Sequence, residues 1–207
     1  KNIAPKKANL GYPGEEMWVW LRLNLIADVG IIGLPNVGKS SFLKFVTNAS
    51  PKIGDYPFTT LFPNLGVISY KNFQELILAD IPGIIKNAYK GSGLGLKFLG
   101  HIEKCNQLLH FIDINRKNIL KDYDIIRGEL DKYGKGLEKK KEIIVITKKD
   151  LETEAILLQR IKKLKSYTGK KIYGISIKDK KSIEKLLNHL LYAKNSTTDI
   201  IEEKWKP

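Results

Sequence analysis

The chain has 207 residues, 43% of them hydrophobic and 28% charged, which is enough to bury one full core and ordinary for a water-soluble domain. A single cysteine rules out a disulfide framework and points to a reducing cytoplasm, and no apolar run reaches the roughly 18 residues that a membrane helix needs. The formal net charge is +14, and only four of the 36 basic residues are arginine (Arg22, Arg116, Arg127, Arg160); such a balance suits nucleic acid or ribosome contact but equally suits a solvated lysine surface.

The elements follow in chain order. The opening "KNIAPKKANLGYPGEE" cannot form a core of its own, so residues 1–25 read as the tail of a preceding domain. Residues 26–195 read as the main domain, and residues 196–207, polar again, as a linker. The apolar run "ADVGII" predicts a strand, and "FLKFVTN" a helix. "LGVISY" (65–70) and "ELILAD" (75–80), joined by a short polar link, predict an antiparallel strand pair. Then come "GLKFLGHIEKC" as helix, "LLHFID" as strand, "ILKDYDIIRGELDKY" as helix and "EIIVIT" as strand. "EAILLQRIKKLKSY" is a helix with apolar residues three and four apart, and "KIYGIS" and "SIEKLLNHLLYA" complete the alternation. Strands alternating with helices predict an α/β fold, a mostly parallel six-stranded sheet with helices on both faces. Ligands in such sheets bind beyond the carboxyl ends of the strands.

Chemistry gathers at those ends. "GLPNVGKS", from Gly33 through Leu34, Pro35, Asn36 and Val37 to Gly38, Lys39 and Ser40, fits the phosphate-binding loop between a strand and a helix. Its glycines let backbone N–H groups curl around phosphate oxygens, Lys39 adds a point charge, and Ser40 offers a hydroxyl to Mg²⁺. Asp80, Ile81, Pro82 and Gly83 form a D-x-x-G after a strand; the aspartate is placed to reach a water of the metal, and the Gly83 N–H to meet a γ-phosphate. Between the two lie Phe58, Thr59, Thr60, Leu61 and Phe62, where Thr60 is expected to close over the nucleotide and join the Mg²⁺ shell. Thr147, Lys148, Lys149 and Asp150 follow a strand, and Asp150 matches the paired N–H donors of guanine, which adenine lacks. Ser176, Ile177 and Lys178 end the next strand and present amides toward the guanine carbonyl. The order of these pieces favours GTP over ATP.

In that order the residues resemble the five guanine-nucleotide motifs of translation-factor-related GTPases. The segments "KIGDYPFTTLFPNLGV", "ADIPGIIKNAYKGSGLGLKFLGHIEKC" and "LLHFIDI" resemble the Obg/CgtA family specifically. "KKANLGYPGEEMWVWLRLNLIADVG" resembles the segment that leaves that family's N-terminal domain. The resemblance implies a Ras-like G domain, monomeric by itself, that hydrolyses GTP slowly with Mg²⁺. It also implies a partner in the large ribosomal subunit, rRNA and protein, and a role in its assembly and in stress or growth control. Asn36 in the loop implies K⁺ in place of an arginine finger; with Lys39, Thr60 and Gly83 it makes the implied catalytic set. Ile84 stands where many GTPases carry a water-orienting glutamine, so the rate is expected to be low.

Two departures stand out. Thr147 occupies the usual Asn position, and loss of that amide is expected to remove a brace worth on the order of 1 kcal/mol between base site and phosphate loop. Ile177 replaces an alanine and is expected to tilt its loop. The competing readings are a degenerate nucleotide-binding scaffold, supported by Thr147, Ile177 and Ile84, and a P-loop ATPase in which Asp150 is incidental. His101, His110 and His189 have no partners at metal-ligand spacing and read as structural, and Cys105 as a buried small hydrophobe.

Overall fold

A computed structural model describes residues 11–20, 25–47, 52–53, 64–70, 74–81 and 94–202. Seven strands form one sheet in the order β2-β3-β4-β1-β5-β6-β7. They are β1 Ala27–Gly33, β2 Lys52–Ile53, β3 Asn64–Tyr70, β4 Gln74–Asp80, β5 Cys105–Asp113, β6 Lys141–Thr147 and β7 Ile172–Gly174. The helices are α1 Lys39–Val46, α2 Leu94–Glu103, α3 Ile119–Tyr133, α4 Glu154–Thr168 and α5 Lys180–Glu202. The six expected strands are all present, and the seventh is the two-residue β2 at the edge. β3 and β4 pair antiparallel over seven positions, as the short link between them requires, while β4, β1, β5, β6 and β7 run parallel.

Alternation along the strands decides which helices cover which face. In β5, Leu109 and Phe111 join Ile143 and Val145 of β6 beneath α1 and α5, where Phe42, Leu186 and Leu190 meet them. Their neighbours point the other way: Leu108 packs with α2 and α3, and Ile112, Ile144 and Ile146 with α3 and α4. Both faces of β1, of β5 from Leu108 and of β6 from Glu142 are therefore buried, which is why these stretches read as largely apolar runs.

Helix ends are set by local chemistry. Asn118 caps α3 by accepting from the Lys121 N–H at 3.1 Å, and Thr153 caps α4 by accepting from Ile156 at 3.4 Å. Gly169 ends α4 in the left-handed conformation at φ 67°. β5 begins at Cys105, within the segment expected as helix, because the chain turns at Lys104, whose N–H donates to the His101 carbonyl. α5 continues to Glu202, so the chain is helical over the first part of the expected linker.

Candidate guanine-nucleotide site

The carboxyl ends of β1, β4, β5, β6 and β7 converge on one rim, and the chain order places a motif on all but one of them. Gly33 closes β1 at φ 147°; a Cβ there would lie 2.5 Å from the Phe111 carbonyl, so only glycine lets the loop leave the sheet this close to β5. Leu34 to Val37 form the loop, with Asn36 in the left-handed region at φ 64°. Gly38, at φ 97°, opens α1, so Lys39 and Ser40 sit in its first turn, where backbone N–H groups and the helix dipole favour an anion.

Lys39 Nζ donates to the carbonyls of Gly33 (2.9 Å) and Leu34 (3.0 Å). Burial holds its pKa below the usual lysine value, against the pull of the nearby Asp80 carboxylate. Ser40 Oγ donates to Asp80 Oδ2 at 2.6 Å, across the ends of α1 and β4. Asp80 is almost fully buried, and its second oxygen, Oδ1, has no hydrogen-bond partner among the described residues. A buried carboxylate oxygen left over beside a hydroxyl suits a hard cation that takes only oxygen ligands. Mg²⁺ fits these residues, with Ser40 as ligand and Asp80 behind it. Bound there, it would neutralise charge on the outer phosphates.

The base end is assembled from β5, β6 and β7. Thr147 Oγ1 donates to the Val37 carbonyl at 2.7 Å and lies 3.3 Å from the Ile112 carbonyl. The expectation that Thr147 removes the brace to the phosphate loop is therefore corrected: a hydroxyl carried on Cβ still reaches the Val37 carbonyl. Lys148, left-handed at φ 57°, runs its ammonium back to the Asn36 carbonyl (3.0 Å) and to Asp113 Oδ2 (2.6 Å). Two consecutive residues of β6 and its exit thus hold two consecutive carbonyls of the phosphate loop. Lys149 and Asp150 lie in a short 3-10 turn, Lys149–Leu151.

Asp150 accepts from Ser176 Oγ at 2.6 Å and pairs with Lys178 at 3.1 Å. The Ser176 hydrogen bond, then that of Lys178, lowers its pKa, so it stands as a carboxylate; each oxygen has one of these partners and keeps capacity to accept from a further donor. Lys178 N–H donates to Ser176 Oγ, and Ser182 Oγ braces the Ser176 N–H, which keeps this turn in place. Ile177 is 48% exposed, so its side chain finds room outward rather than against the turn. A cavity of 240 Å³ joins these parts: Gly38, Ser41 and Phe42 at one end, and Lys148, Asp150, Ser176 and Lys178 at the other.

The sequence reading thus placed the phosphate loop, Asp80, Ile81 and the two base motifs on one rim. Phe58, Thr59, Thr60, Leu61, Phe62, Pro82 and Gly83 lie outside the described residues. It missed Asp113, although a carboxylate closing a parallel strand is the same signal that marked Asp80. It also missed the pairing of His110 with Glu142, whose residues are 32 apart and meet only because β5 and β6 are neighbours.

Residues 28–149 match the family model described as 50S ribosome-binding GTPase. The chain belongs to that family. It is 50% identical over 186 residues to GTPase Obg of Rickettsia typhi, which covers 90% of this chain and 56% of that protein. The corresponding figures for GTPase Obg of Acidiphilium cryptum are 48% over 190 residues, 92% and 57%. The chain spans a little over half the length of these curated relatives. Among solved structures, it is similar to Era from Aquifex aeolicus bound to GDP·AlF4⁻ (24% identity, TM-score 0.57, 79% of this chain and 55% of that one). The cytosolic domain of the Thermotoga maritima FeoB iron transporter in a GDP form gives 19% identity and TM-score 0.62, over 82% and 64%. These likenesses fix the fold as that of Ras-like P-loop GTPase domains. Among the described residues, no helix is long and apolar enough to cross a membrane.

Proposed function

We propose that this chain binds GTP and GDP with Mg²⁺, hydrolyses GTP slowly, and acts in the cytoplasm as a monomeric switch in large ribosomal subunit assembly and in stress or growth control. The observation that carries this reading is the single cavity that runs from Gly38 of the phosphate loop to the Asp150 carboxylate. Phosphate affinity alone would suit any nucleotide. A fixed carboxylate at the far end suits the N1–H and N2–H₂ donors of guanine and leaves adenine unmatched. The family name, 50S ribosome-binding GTPase, and the relatives' name, GTPase Obg, support a GTPase reading.

Thr60 and the Gly83 N–H are proposed to contact the γ-phosphate, so that its loss frees the segments around both. Catalysis then rests on Lys39 and the loop N–H groups, which stabilise charge on the transferring phosphoryl; Mg²⁺ held through Ser40 would supply further positive charge there. With Ile84 after the D-x-x-G, no side chain there can orient water, which is the reason for a slow rate. K⁺ held near Asn36 is proposed to add charge to the same transition state. The hydroxyl brace at Thr147 counts against a degenerate scaffold, because the base site and phosphate loop are still tied together.

Sedimentation of the 207-residue chain with purified 50S subunits, in GTP and in GDP, tests the switch. More chain in the 50S fraction with GTP is expected; equal recovery with both nucleotides would overturn it. Phosphate release in KCl and NaCl tests the monovalent ion, with equal rates removing the K⁺ role.

A further inference from the structure

Charge is not spread evenly along the chain. Residues 154–195 carry eleven basic side chains against three acidic ones, which is +8 of the chain's +14. These residues are α4, β7 and the described turns of α5, and β7 is the last strand of the sheet. α4 packs on one face and α5 on the other, so both helices flank β7, which among the described residues has no strand partner beyond β6.

The helix phases place the lysines. On α4, Arg160 donates to the Arg116 carbonyl and Tyr167 to Asp124, which turns that side toward α3. Lys162 and Lys165 each stand two residues from one of these, about 200° round the helix and away from α3. On α5, the His189 ring lies 5.7 Å from that of Tyr173 in β7, and Lys185 is one turn earlier on the same side. Lys181 is one further turn back. Lys171 enters β7 directly, and after burial its charge is what keeps the His189 pKa low, so the two are close. All five lysines are exposed. Of the nearby carboxylates, Asp179 pairs with Lys149, Asp150 with Lys178, and Glu142 with Lys170 and His110, while the exposed Glu184, three residues from Lys181 on α5, leaves the balance of this edge strongly positive. Among the described residues, none pairs with these five.

We infer that the β7 edge, with Lys162, Lys165, Lys171, Lys181 and Lys185 around it, is a docking surface for the phosphate backbone of RNA. The choice of partner rests on the ribosomal reading above; the surface itself rests on the placement of charge. A row of unpaired ammonium groups on two helices suits phosphates repeating along a strand. Protein interfaces are instead depleted in lysine at their centres and built on aromatic or arginine anchors. An anionic membrane would want a broad apolar face outward, whereas most apolar side chains of α4 and α5 pack on the sheet and, among the described ones, only Leu158, Tyr167 and Tyr192 are large and exposed. The surface lies at the side of the sheet, so RNA and nucleotide could be held together. The bland alternative is that the lysines guard an open strand edge against pairing with another copy.

The test uses the 207-residue chain and a short fluorescein-labelled RNA duplex, with binding followed by anisotropy across a KCl series. One variant combines Lys162→Glu, Lys165→Glu, Lys171→Glu and Lys185→Glu. A control with the same charge change combines Lys44→Glu, Lys104→Glu, Lys121→Glu and Lys139→Glu, all away from β7. The edge variant is expected to lose at least about tenfold in affinity at low salt and to flatten the slope of log K against log salt by about 3, at roughly 0.9 per phosphate contact. The control should change both by much less, and GDP affinity should be intact in each variant.

Equal losses in both variants would mean overall charge alone, and would overturn the assignment. So would RNA affinity that is kept while the edge variant self-associates, which would make the lysines guards. Equal capture of poly-glutamate by the wild type would assign the edge to acidic protein instead. The same proteins sedimented with 50S subunits separate the two readings. A wild type and edge variant that sediment alike in GTP would remove only the β7 surface, whereas a wild type that stays behind would remove the ribosomal reading.

Discussion

β6 spends its two ends differently. At its amino end, Glu142 is buried beneath partners that take up its charge: His110 Nδ1 at 2.8 Å, Tyr123 Oη at 3.3 Å, Lys170 Nζ, and Arg127 at 3.7 Å. At its carboxyl end, Thr147 and Lys148 grip the backbone of another loop, and the Asp150 carboxylate beyond them faces a cavity. The first arrangement is closed, since what the carboxylate gains from its neighbours is fixed on folding. The second is open, because part of its hydrogen-bonding capacity stays available for a ligand. On the proposed function, one strand ties stability to one end and recognition to the other, and changes at the two ends should read out in different experiments.

The largest effect is expected from Glu142→Gln. Removing the charge leaves Lys170 and Arg127 facing a neutral amide in the interior, at a cost on the order of 3 kcal/mol of folding stability. GDP affinity measured well below the melting temperature should hardly move. The same site should contribute to the acid stability of the fold. Burial alone would raise the Glu142 pKa, but the hydrogen bonds and charges of His110 and Lys170 bring it from 4.5 down to about 2. A carboxylate with a depressed folded pKa stabilises fully above pH about 4.5 and loses that contribution as pH falls toward about 2. Denaturant midpoints between these limits should fall steeply for wild type and less so for the variant. Equal slopes would detach Glu142 from acid stability.

Thr147→Val should act in the opposite register. Its methyl groups fill the same space, but the Val37 carbonyl loses its donor, for about 1–2 kcal/mol. Most of this should appear as weaker GDP binding, roughly fivefold or more, seen as a faster off-rate in stopped flow. A loss of melting temperature with unchanged GDP kinetics would place Thr147 with Glu142 among residues that only stabilise. The smallest effect is expected from Lys178→Gln. Its ion pair with Asp150 is 74% exposed on the lysine side, so GDP affinity should change by less than about threefold in calorimetry. A tenfold change would mean that Lys178 itself touches the nucleotide.

How far these ends were legible depends on the distance over which their information runs. The open end was readable because its parts are local: a glycine pattern between strand and helix, a carboxylate closing a strand, a polar tetrapeptide after another. The parallel sheet was readable for the same reason, since strand and helix periods differ and alternate. The closed end was not. Glu142 looks like a charge flanking a strand until β5 and β6 pair, α3 covers them and Lys170 returns from the end of α4. Thr147 was read as a loss because motif comparison weighs side-chain identity, whereas the bond to Val37 depends on how near the strand end lies to the loop.

The central claim is that Asp150, held by Ser176 and tied through β6 to the phosphate loop, chooses the base. Displacement of a fluorescent GDP analogue by GTP, ATP and XTP, for wild type and Asp150→Asn, tests it most directly. Wild type should prefer GTP to ATP and XTP by at least about a hundredfold, the worth of two hydrogen bonds to a charged group. In the variant the order should reverse for XTP, because an amide can donate to the xanthine C2 carbonyl while accepting from N1–H. Equal displacement by ATP and GTP in the wild type would contradict the account.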